Sequence, residues 1–325
     1  MKVEIKAIEY YLPPQTEDGQ VLKNDNPDWR IEEIEKKTGV FVRHISEPGQ
    51  TATDMAELAG KKIITNDGIR KDIDFLILVT QSPDYALPTS ACILQDRLGI
   101  KKECAAFDVN LGCSGFIYGL ALGGSLIESK IAKKGLLICS ETYTKYIDKS
   151  DRTCRPLFSD GASAVLLAVG ERNTLGPFEM GTDGSGYSDL IVRSSGMRKA
   201  KDGEKEGKLF MNGSNVFMFT MDVVPRCINE LLKKAEKSIE EIDLFVFHQA
   251  SKLVIDNIIR RLNLSSEKVF INYKDVGNTV SASIPIALKD ASEQGYLKKK
   301  KLVMLVGFGV GLSWGACLIE WGMNI

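Results

Sequence analysis

Residues 73–82, IDFLILVTQS, and residues 242–251, IDLFVFHQAS, share one pattern that decides the architecture of the chain. Each stretch begins with Ile-Asp, continues as an apolar run, and ends in polar residues that open a helical pattern. Continuous apolar runs of this kind are typical of strands in sheets covered on both faces. The recurrence of one unit further along the chain indicates a duplication.

Working outward, three further pairs of segments follow in the same order in both halves. The pairs are FDVNLGCSGFIYGLALG (107–123) with YKDVGNTVSASIPIALK (273–289), KGLLICSE (134–141) with KKLVMLVGFG (300–309), and DGASAVLLAVG (160–170) with LSWGACLIEWG (312–322). The pattern predicts an α/β fold of two similar halves, residues 1–172 and 173–325. The helix after Cys113 is apolar nearly all round, so we expect it in a buried layer between two sheets. Two unrelated α/β domains are the alternative.

The uncharged residues 302–319, LVMLVGFGVGLSWGACLI, are long enough to suggest a membrane span. Glycines weaken a helix, and the first residues of this stretch are strand-like, so we expect two buried strands joined by a glycine-rich turn. Lys and Arg total 42 against 43 Asp and Glu, so no overall charge favours nucleic acid or an anionic membrane. The first residues alternate like a strand and lack the apolar run of a signal peptide, which predicts a cytoplasmic protein.

The chain has seven cysteines and two histidines, and no CxxC pair, so we predict reduced thiols and no metal site. Cys113 differs from the other cysteines because it joins a strand-like segment to a helix, between Gly112 and Ser114. The backbone N–H groups and dipole of a helix N-terminus would lower the pKa of its thiol and favour a nucleophilic thiolate. The alternative interpretation is a small buried hydrophobic residue.

Two polar residues of the second half lie, like Cys113, where a predicted strand or its repeat ends in a turn. His248 follows an apolar strand, at the end where ligands gather in α/β folds, and Asn278 lies in the segment that repeats the Cys113 turn. Taken alone, each has another interpretation, a buried histidine or a turn asparagine. If a pseudo-twofold axis relates the halves, these two residues and Cys113 meet at one point, as acyl transfer requires.

The segments FDVNLGCSGF, FSDGASA, FHQAS, VGNTVSASIP and GFGVGLSWGA together resemble the 3-oxoacyl-acyl-carrier-protein synthase III family of the thiolase superfamily. The resemblance runs over nearly the whole chain and implies a five-layered αβαβα fold, a homodimer and a triad of Cys113, His248 and Asn278. It implies that Cys113 takes an acyl group from acyl-CoA and that a malonyl thioester then condenses with it, losing CO₂. It also implies acyl carrier protein as a partner and no metal or redox cofactor.

The resemblance assigns further residues around the reacting groups. The backbone N–H groups of Cys113 and Val310 would form the oxyanion hole, and Leu87 would supply a wall of the acyl pocket across the dimer. The residues implied in coenzyme A binding are Lys37, Arg152, Gly213, Phe217, Ala250 and Ser251.

Some positions depart from the family pattern. Trp29 lies earlier than the family's adenine-stacking tryptophan, and Leu253 replaces an arginine that docks the carrier protein. Lys252, Arg260 and Arg261 are therefore the predicted docking residues for an acidic carrier. The departures leave open a specialised acyltransferase or condensing enzyme of secondary-metabolite or surface-glycan biosynthesis.

Two other functions also stay open at this point. Non-decarboxylative condensation would need a glutamate base where this chain has Gln81 and Ser82. A non-catalytic thiolase-fold scaffold would belong to a different class of protein. The sequence does not set the acyl chain length, nor whether the acceptor is a malonyl carrier protein or malonyl-CoA.

Overall fold

A computed structural model describes residues 2–172, 174–199, 206–298 and 300–322. The strands are β1 Val3–Tyr11, β2 Thr16–Asp18, β3 Val42–His44, β4 Phe75–Val79, β5 Ala105–Val109, β6 Lys134–Glu141, β7 Gly161–Val169, β8 Leu175–Thr182, β9 Leu190–Val192, β10 Leu209–Met211, β11 Leu244–Phe247, β12 Leu302–Gly309 and β13 Ser313–Glu320. The α-helices are α1 Gly19–Asp25, α2 Ile31–Thr38, α3 Ala52–Ile63, α4 Asp67–Asp72, α5 Ser90–Arg97, α6 Gly115–Glu128, α7 Gly213–Ala235, α8 Lys252–Leu262, α9 Tyr273–Val276 and α10 Ser283–Glu293. Short 3₁₀ helices cover Tyr143–Tyr146, Gly184–Asp189, Ile239–Glu241, Ser266–Lys268 and Val280–Ala282.

Two mixed sheets repeat one topology. The first has the strand order β1-β7-β6-β4-β5, and the second has the order β8-β13-β12-β11. In the second sheet an isolated parallel bridge between Phe245 of β11 and Val269 takes the place of the pairing between β4 and β5. In the first sheet β6 runs parallel to β4 and antiparallel to β7. In the second sheet β12 likewise runs parallel to β11 and antiparallel to β13. This match supports the proposed division into residues 1–172 and 173–325, just before β8.

Helices α6 and α10 form a layer between the two sheets. α6 packs against β4 and β6 on one side and β12 and β13 on the other, while α10 contacts β1 and β11. The apolar side chains of α6 at Phe116, Ile117, Leu120 and Ile127 are fully buried. Helices α3 and α5 cover the outer face of the first sheet, and α7 and α8 cover that of the second. The predicted five-layered αβαβα fold is confirmed.

Residues 302–319 form β12, a turn and most of β13, as predicted. The two strands pair antiparallel in the middle of the second sheet, from Leu302 opposite Glu320 to Gly309 opposite Ser313. Among the described residues, no helix is both long and apolar enough to cross a membrane.

Candidate active site

Cys113 lies in the short connection between β5 and α6, directly before the N-cap residue Ser114, and is 5% exposed. The end of β12 packs closely against it, because a Cβ atom added to Gly309 would lie 2.8 Å from the Cys113 sulfur. Gly309 also has φ 153°, a backbone conformation that favours glycine. The backbone N–H groups of Val310 and of Cys113 itself both act on the sulfur, since each lowers the pKa of the thiol. Two backbone donors therefore converge where an acyl oxygen on Cys113 would form.

The expectation of a lowered thiol pKa is wrong. Complete burial raises the pKa of Cys113 to about 12, and the negative charge of Glu141 acts in the same direction. The two backbone N–H groups lower this pKa, but they do not outweigh the loss of water. Cys113 is thus a neutral thiol at pH 7, and its proton must leave when the sulfur attacks an acyl group.

His248 follows β11 and extends its pairing, since its backbone N–H donates to the Val306 oxygen at 2.8 Å. Its Nδ1 lies 2.7 Å from the Ser283 hydroxyl at the start of α10, and its ring meets the Phe308 ring edge-on at 5.6 Å. Burial lowers the pKa of His248 to about 3, against a weaker effect of the Val280 backbone. The imidazole is therefore neutral at pH 7, with one ring nitrogen that can accept a proton and one N–H that can donate a hydrogen bond.

Asn278 is held by both its backbone and its side chain. Its N–H donates to the Leu157 oxygen and its own oxygen accepts from the Ser159 N–H, each at 2.9 Å. The side-chain Oδ1 accepts from the Val280 N–H at 2.9 Å, while Val280 adopts φ 54°, which is strained for a β-branched residue. Since the Oδ1 atom is engaged, the NH₂ group of Asn278 is the end available to a ligand.

A single cavity of about 1070 Å³ connects these residues with the surface. Cys113, His248 and Asn278 all line it. All the residues implied in coenzyme A binding also line it, namely Lys37, Arg152, Gly213, Phe217, Ala250 and Ser251. The structure thus brings the three candidate catalytic side chains and the candidate coenzyme A contacts to one site.

Other predicted residues lie elsewhere. Leu87 is 80% exposed and does not line the cavity of the single chain. Trp29 packs with Leu22 and Ile34 beside a separate groove.

The predicted docking residues lie at different places on the surface. Lys252 begins α8 beside the cavity-lining Ser251, but its ammonium group pairs with Asp256 at 2.5 Å. Arg260 is exposed near the end of α8, whereas Arg261 lines a different groove with residues of α7. Neither Arg260 nor Arg261 lines the cavity that holds Cys113.

Sequence reasoning missed three residues of the site. Phe308 lines the cavity beside His248, Ser283 holds the His248 ring, and Glu141 is a buried carboxyl whose charge reaches Cys113. The serine could have been found from the repeat, because it opens the helix that corresponds to α6.

Comparison with known proteins places these features in a family. Residues 107–184 match the family profile described as 3-oxoacyl-[acyl-carrier-protein (ACP)] synthase III, and residues 232–321 match its C-terminal profile. The chain is 38% identical over 314 residues to beta-ketoacyl-[acyl-carrier-protein] synthase III of Natranaerobius thermophilus, covering 94% of each chain. It is 41% identical over 292 residues to the protein of that name from Clostridium perfringens, covering 88% of this chain and 90% of the other. A crystal structure of a 3-oxoacyl-(acyl-carrier-protein) synthase III superimposes with a TM-score of 0.95 at 40% identity, covering 99% of this chain and 100% of that one.

Fold and site together define a condensing acyltransferase of the thiolase fold. The duplicated sheets, the buried helix layer and the cysteine between β5 and α6 are all features of that class. The chain belongs to the 3-oxoacyl-[acyl-carrier-protein] synthase III family.

Proposed function

We propose that the protein transfers an acyl group from acyl-CoA to Cys113 and condenses it with a malonyl thioester, carried by an acyl carrier protein. The products are CO₂, free coenzyme A and a 3-oxoacyl thioester. The cavity carries this proposal, because it joins a buried thiol, a neutral imidazole and an amide NH₂ group to an exposed mouth with cationic Lys37 and Arg152.

In the first half-reaction, the Cys113 sulfur attacks the acyl-CoA carbonyl. Burial keeps the thiol protonated, so neutral His248 accepts the proton as the carbon–sulfur bond forms. The backbone N–H groups of Cys113 and Val310 stabilise the oxyanion. Collapse of the tetrahedral intermediate expels coenzyme A, whose sulfur takes the proton from His248, and leaves acyl-Cys113 beside a neutral imidazole.

In the second half-reaction, the malonyl thioester loses CO₂ and becomes an enolate. The NH₂ group of Asn278 and a ring N–H of His248 donate to the enolate oxygen, where one preorganised donor is worth roughly 3–4 kcal/mol. The enolate carbon attacks the acyl-Cys113 carbonyl, and the tetrahedral intermediate releases the Cys113 sulfur as a thiolate, which takes up a proton from solvent to restore the thiol. None of these steps uses a metal or redox cofactor.

Mass spectrometry of the intact protein after incubation with a panel of acyl-CoAs tests the proposal. We expect one acyl group per chain on the peptide that contains Cys113, and its removal when a malonyl carrier protein is added. The same panel reports the preferred acyl chain. An acyl group that stays on Cys113 in the presence of every malonyl thioester would contradict the condensation step.

We also propose a homodimer in the cytosol. All seven cysteines are free, as expected for a reducing compartment. In the first sheet, β5 is an edge strand, and exposed Tyr85 and Leu87 lie in the segment that follows β4. An unpaired edge with exposed apolar side chains is suited to a second copy of the chain.

Sedimentation equilibrium should therefore give a dimer at micromolar concentration without detergent. Leu87→Arg should weaken the dimer, since it places a charge in the proposed interface. Ile131→Arg is the matched control, because Ile131 is a similarly exposed residue, 73% against 80%, in the loop after α6. A stable wild-type monomer, or equal effects of the two substitutions, would contradict this interface.

Lys252→Glu should raise the KM for the malonyl carrier protein severalfold, while acylation of Cys113 by acyl-CoA changes little. Carrier proteins are acidic, and a single exposed charge contributes about 0–1 kcal/mol, so the effect is moderate and shrinks at high salt. Lys237→Glu makes the same charge change in the separate groove and serves as the control, because Lys237 also pairs with an acidic residue four positions on, Glu241. Steady-state kinetics at two salt concentrations measures both variants, and a salt-independent loss with Lys252→Glu would contradict a docking role.

A further inference from the structure

Glu141 is a buried carboxyl group for which the proposed reaction has no use. It ends strand β6, and its side chain is fully buried. Its Oε1 accepts a hydrogen bond from the Ser281 hydroxyl at 2.8 Å. Its Oε2 accepts from the Gln81 backbone N–H at 3.0 Å and from the Ser82 hydroxyl at 2.9 Å. These three donors are neutral groups, so a negative charge on Glu141 gains hydrogen bonds from them but no compensating positive charge.

The hydrogen-bond donors come from both halves of the chain and flank the candidate active site. Ser281 belongs to the 3₁₀ helix that follows Asn278, whereas Gln81 and Ser82 follow β4. The Gln81 side-chain oxygen lies 2.5 Å from where a Cβ atom on Gly112 would be, directly beside Cys113. Glu141 thus joins the turn that holds Asn278 to the segment that packs behind Cys113.

Charge on Glu141 also reaches the candidate nucleophile. Burial, with a smaller effect of the Asp160 charge, raises the pKa of Glu141 to about 8 despite its three hydrogen bonds. The negative charge of Glu141 in turn raises the pKa of Cys113, since two anions would share one buried region. The titratable groups that interact with Glu141 are Cys113, Cys139, Tyr143, Tyr146 and Asp160.

We propose that Glu141 is a positioning residue that acts in its protonated form, holding the two halves together around the site while leaving Cys113 free of a neighbouring negative charge. The proposal rests on the proposed role of Cys113 as nucleophile. Protonation costs no contact, because Oε1–H donates to the Ser281 hydroxyl while Oε2 keeps both of its donors. Ionisation of Glu141 at alkaline pH keeps the same contacts but opposes formation of the Cys113 thiolate.

Two substitutions separate the charge from the contacts. Glu141→Gln imitates the neutral carboxyl, with the amide oxygen facing Gln81 and Ser82 and the NH₂ group donating to Ser281. Ser281→Ala keeps the charge and removes one contact. The measured quantity is the rate of Cys113 alkylation by iodoacetamide from pH 6 to 9.5, followed on the Cys113 peptide by mass spectrometry. N-acetylcysteine added to every sample is the internal standard.

Glu141→Gln should speed alkylation of Cys113 by about threefold to tenfold at pH 9, because one unit of thiol pKa changes the thiolate population about tenfold. The difference should nearly vanish at pH 6.5, where wild-type Glu141 is itself protonated. Ser281→Ala should keep the wild-type shape of the pH profile with its inflection at higher pH, because the lost hydrogen bond lowers the pKa of Glu141. Equal rates in wild type and Glu141→Gln at every pH would overturn the proposal. An identical acceleration in both variants would also overturn it, since loosened packing would then be the cause.

Thermal unfolding provides a second readout. The native carboxyl keeps its proton up to about pH 8, whereas the unfolded chain releases it near 4.5, so wild-type stability should fall as pH rises through this window. Glu141→Gln should remove the part of this loss of stability that comes from Glu141.

If Glu141→Gln does not fold, the wild-type alkylation profile decides, because the proposal requires an inflection near pH 8. Alkylation needs no acyl substrate, so failure of acyl-CoA to label Cys113 would contradict the proposed function without deciding the role of Glu141.

Discussion

Cys113→Ser should abolish formation of the acyl-enzyme, and its loss of activity should be the largest of any single substitution. A serine oxygen is a weaker nucleophile than sulfur and its proton is harder to remove, and removal of a nucleophile typically costs about 10⁴–10⁶ in rate. The test is accumulation of label from radiolabelled acyl-CoA. Cys92→Ser, which changes an exposed cysteine outside the cavity, should label normally. Normal labelling of Cys113→Ser would assign the nucleophile to another residue.

Asn278→Ala should retain acylation but lose about 10²–10³ in decarboxylative condensation. The reason is that its NH₂ group stabilises only the enolate, and one preorganised donor is worth roughly 3–4 kcal/mol. Asn278→Asp is a sharper variant, because a carboxylate oxygen still accepts from the Val280 N–H while the NH₂ donor is gone.

Release of CO₂ from the malonyl thioester and labelling of Cys113, measured separately, test this expectation. His248→Ala provides the contrast, since burial leaves Cys113 protonated and His248 is the neutral base in its cavity. It should therefore slow both half-reactions. Equal losses in acylation and CO₂ release for Asn278→Ala would contradict its assignment to the enolate.

Sequence periodicity predicts two similar α/β halves because the duplicated strands are local patterns, while the five-layered arrangement comes from the family resemblance. The apolar runs now in β4, β6, β11 and β12 could be recognised without knowing what they pair with. Cys113, His248 and Asn278 were found because each stands where an apolar strand or its repeat meets a turn, which marks the edge of a sheet where sites form.

Properties that depend on distant neighbours could not be predicted in this way. The raised pKa of Cys113 follows from burial under β12 and from the charge of Glu141, neither of which is near it in sequence. In the sequence Glu141 resembles an ordinary polar residue at the end of a strand. Its role depends on the hydrogen bond from Ser281, which comes from the other half of the chain. The packing of α8 similarly decides the surroundings of its basic residues. Lys252 pairs with Asp256, and Arg261 faces α7.

The pairing of β1 has a consequence for biosynthesis. In the mature sheet its hydrogen-bonded neighbour is β7, with Val3 opposite Val169, so on the ribosome β1 waits until β7 has been made. At about 5–20 residues per second, that interval is on the order of ten to thirty seconds. In the second half β8 likewise waits for β13, near the carboxyl end. The nascent chain therefore carries an open strand edge until β7, and later β13, has been made, and during that time the edge can pair with a neighbouring polypeptide.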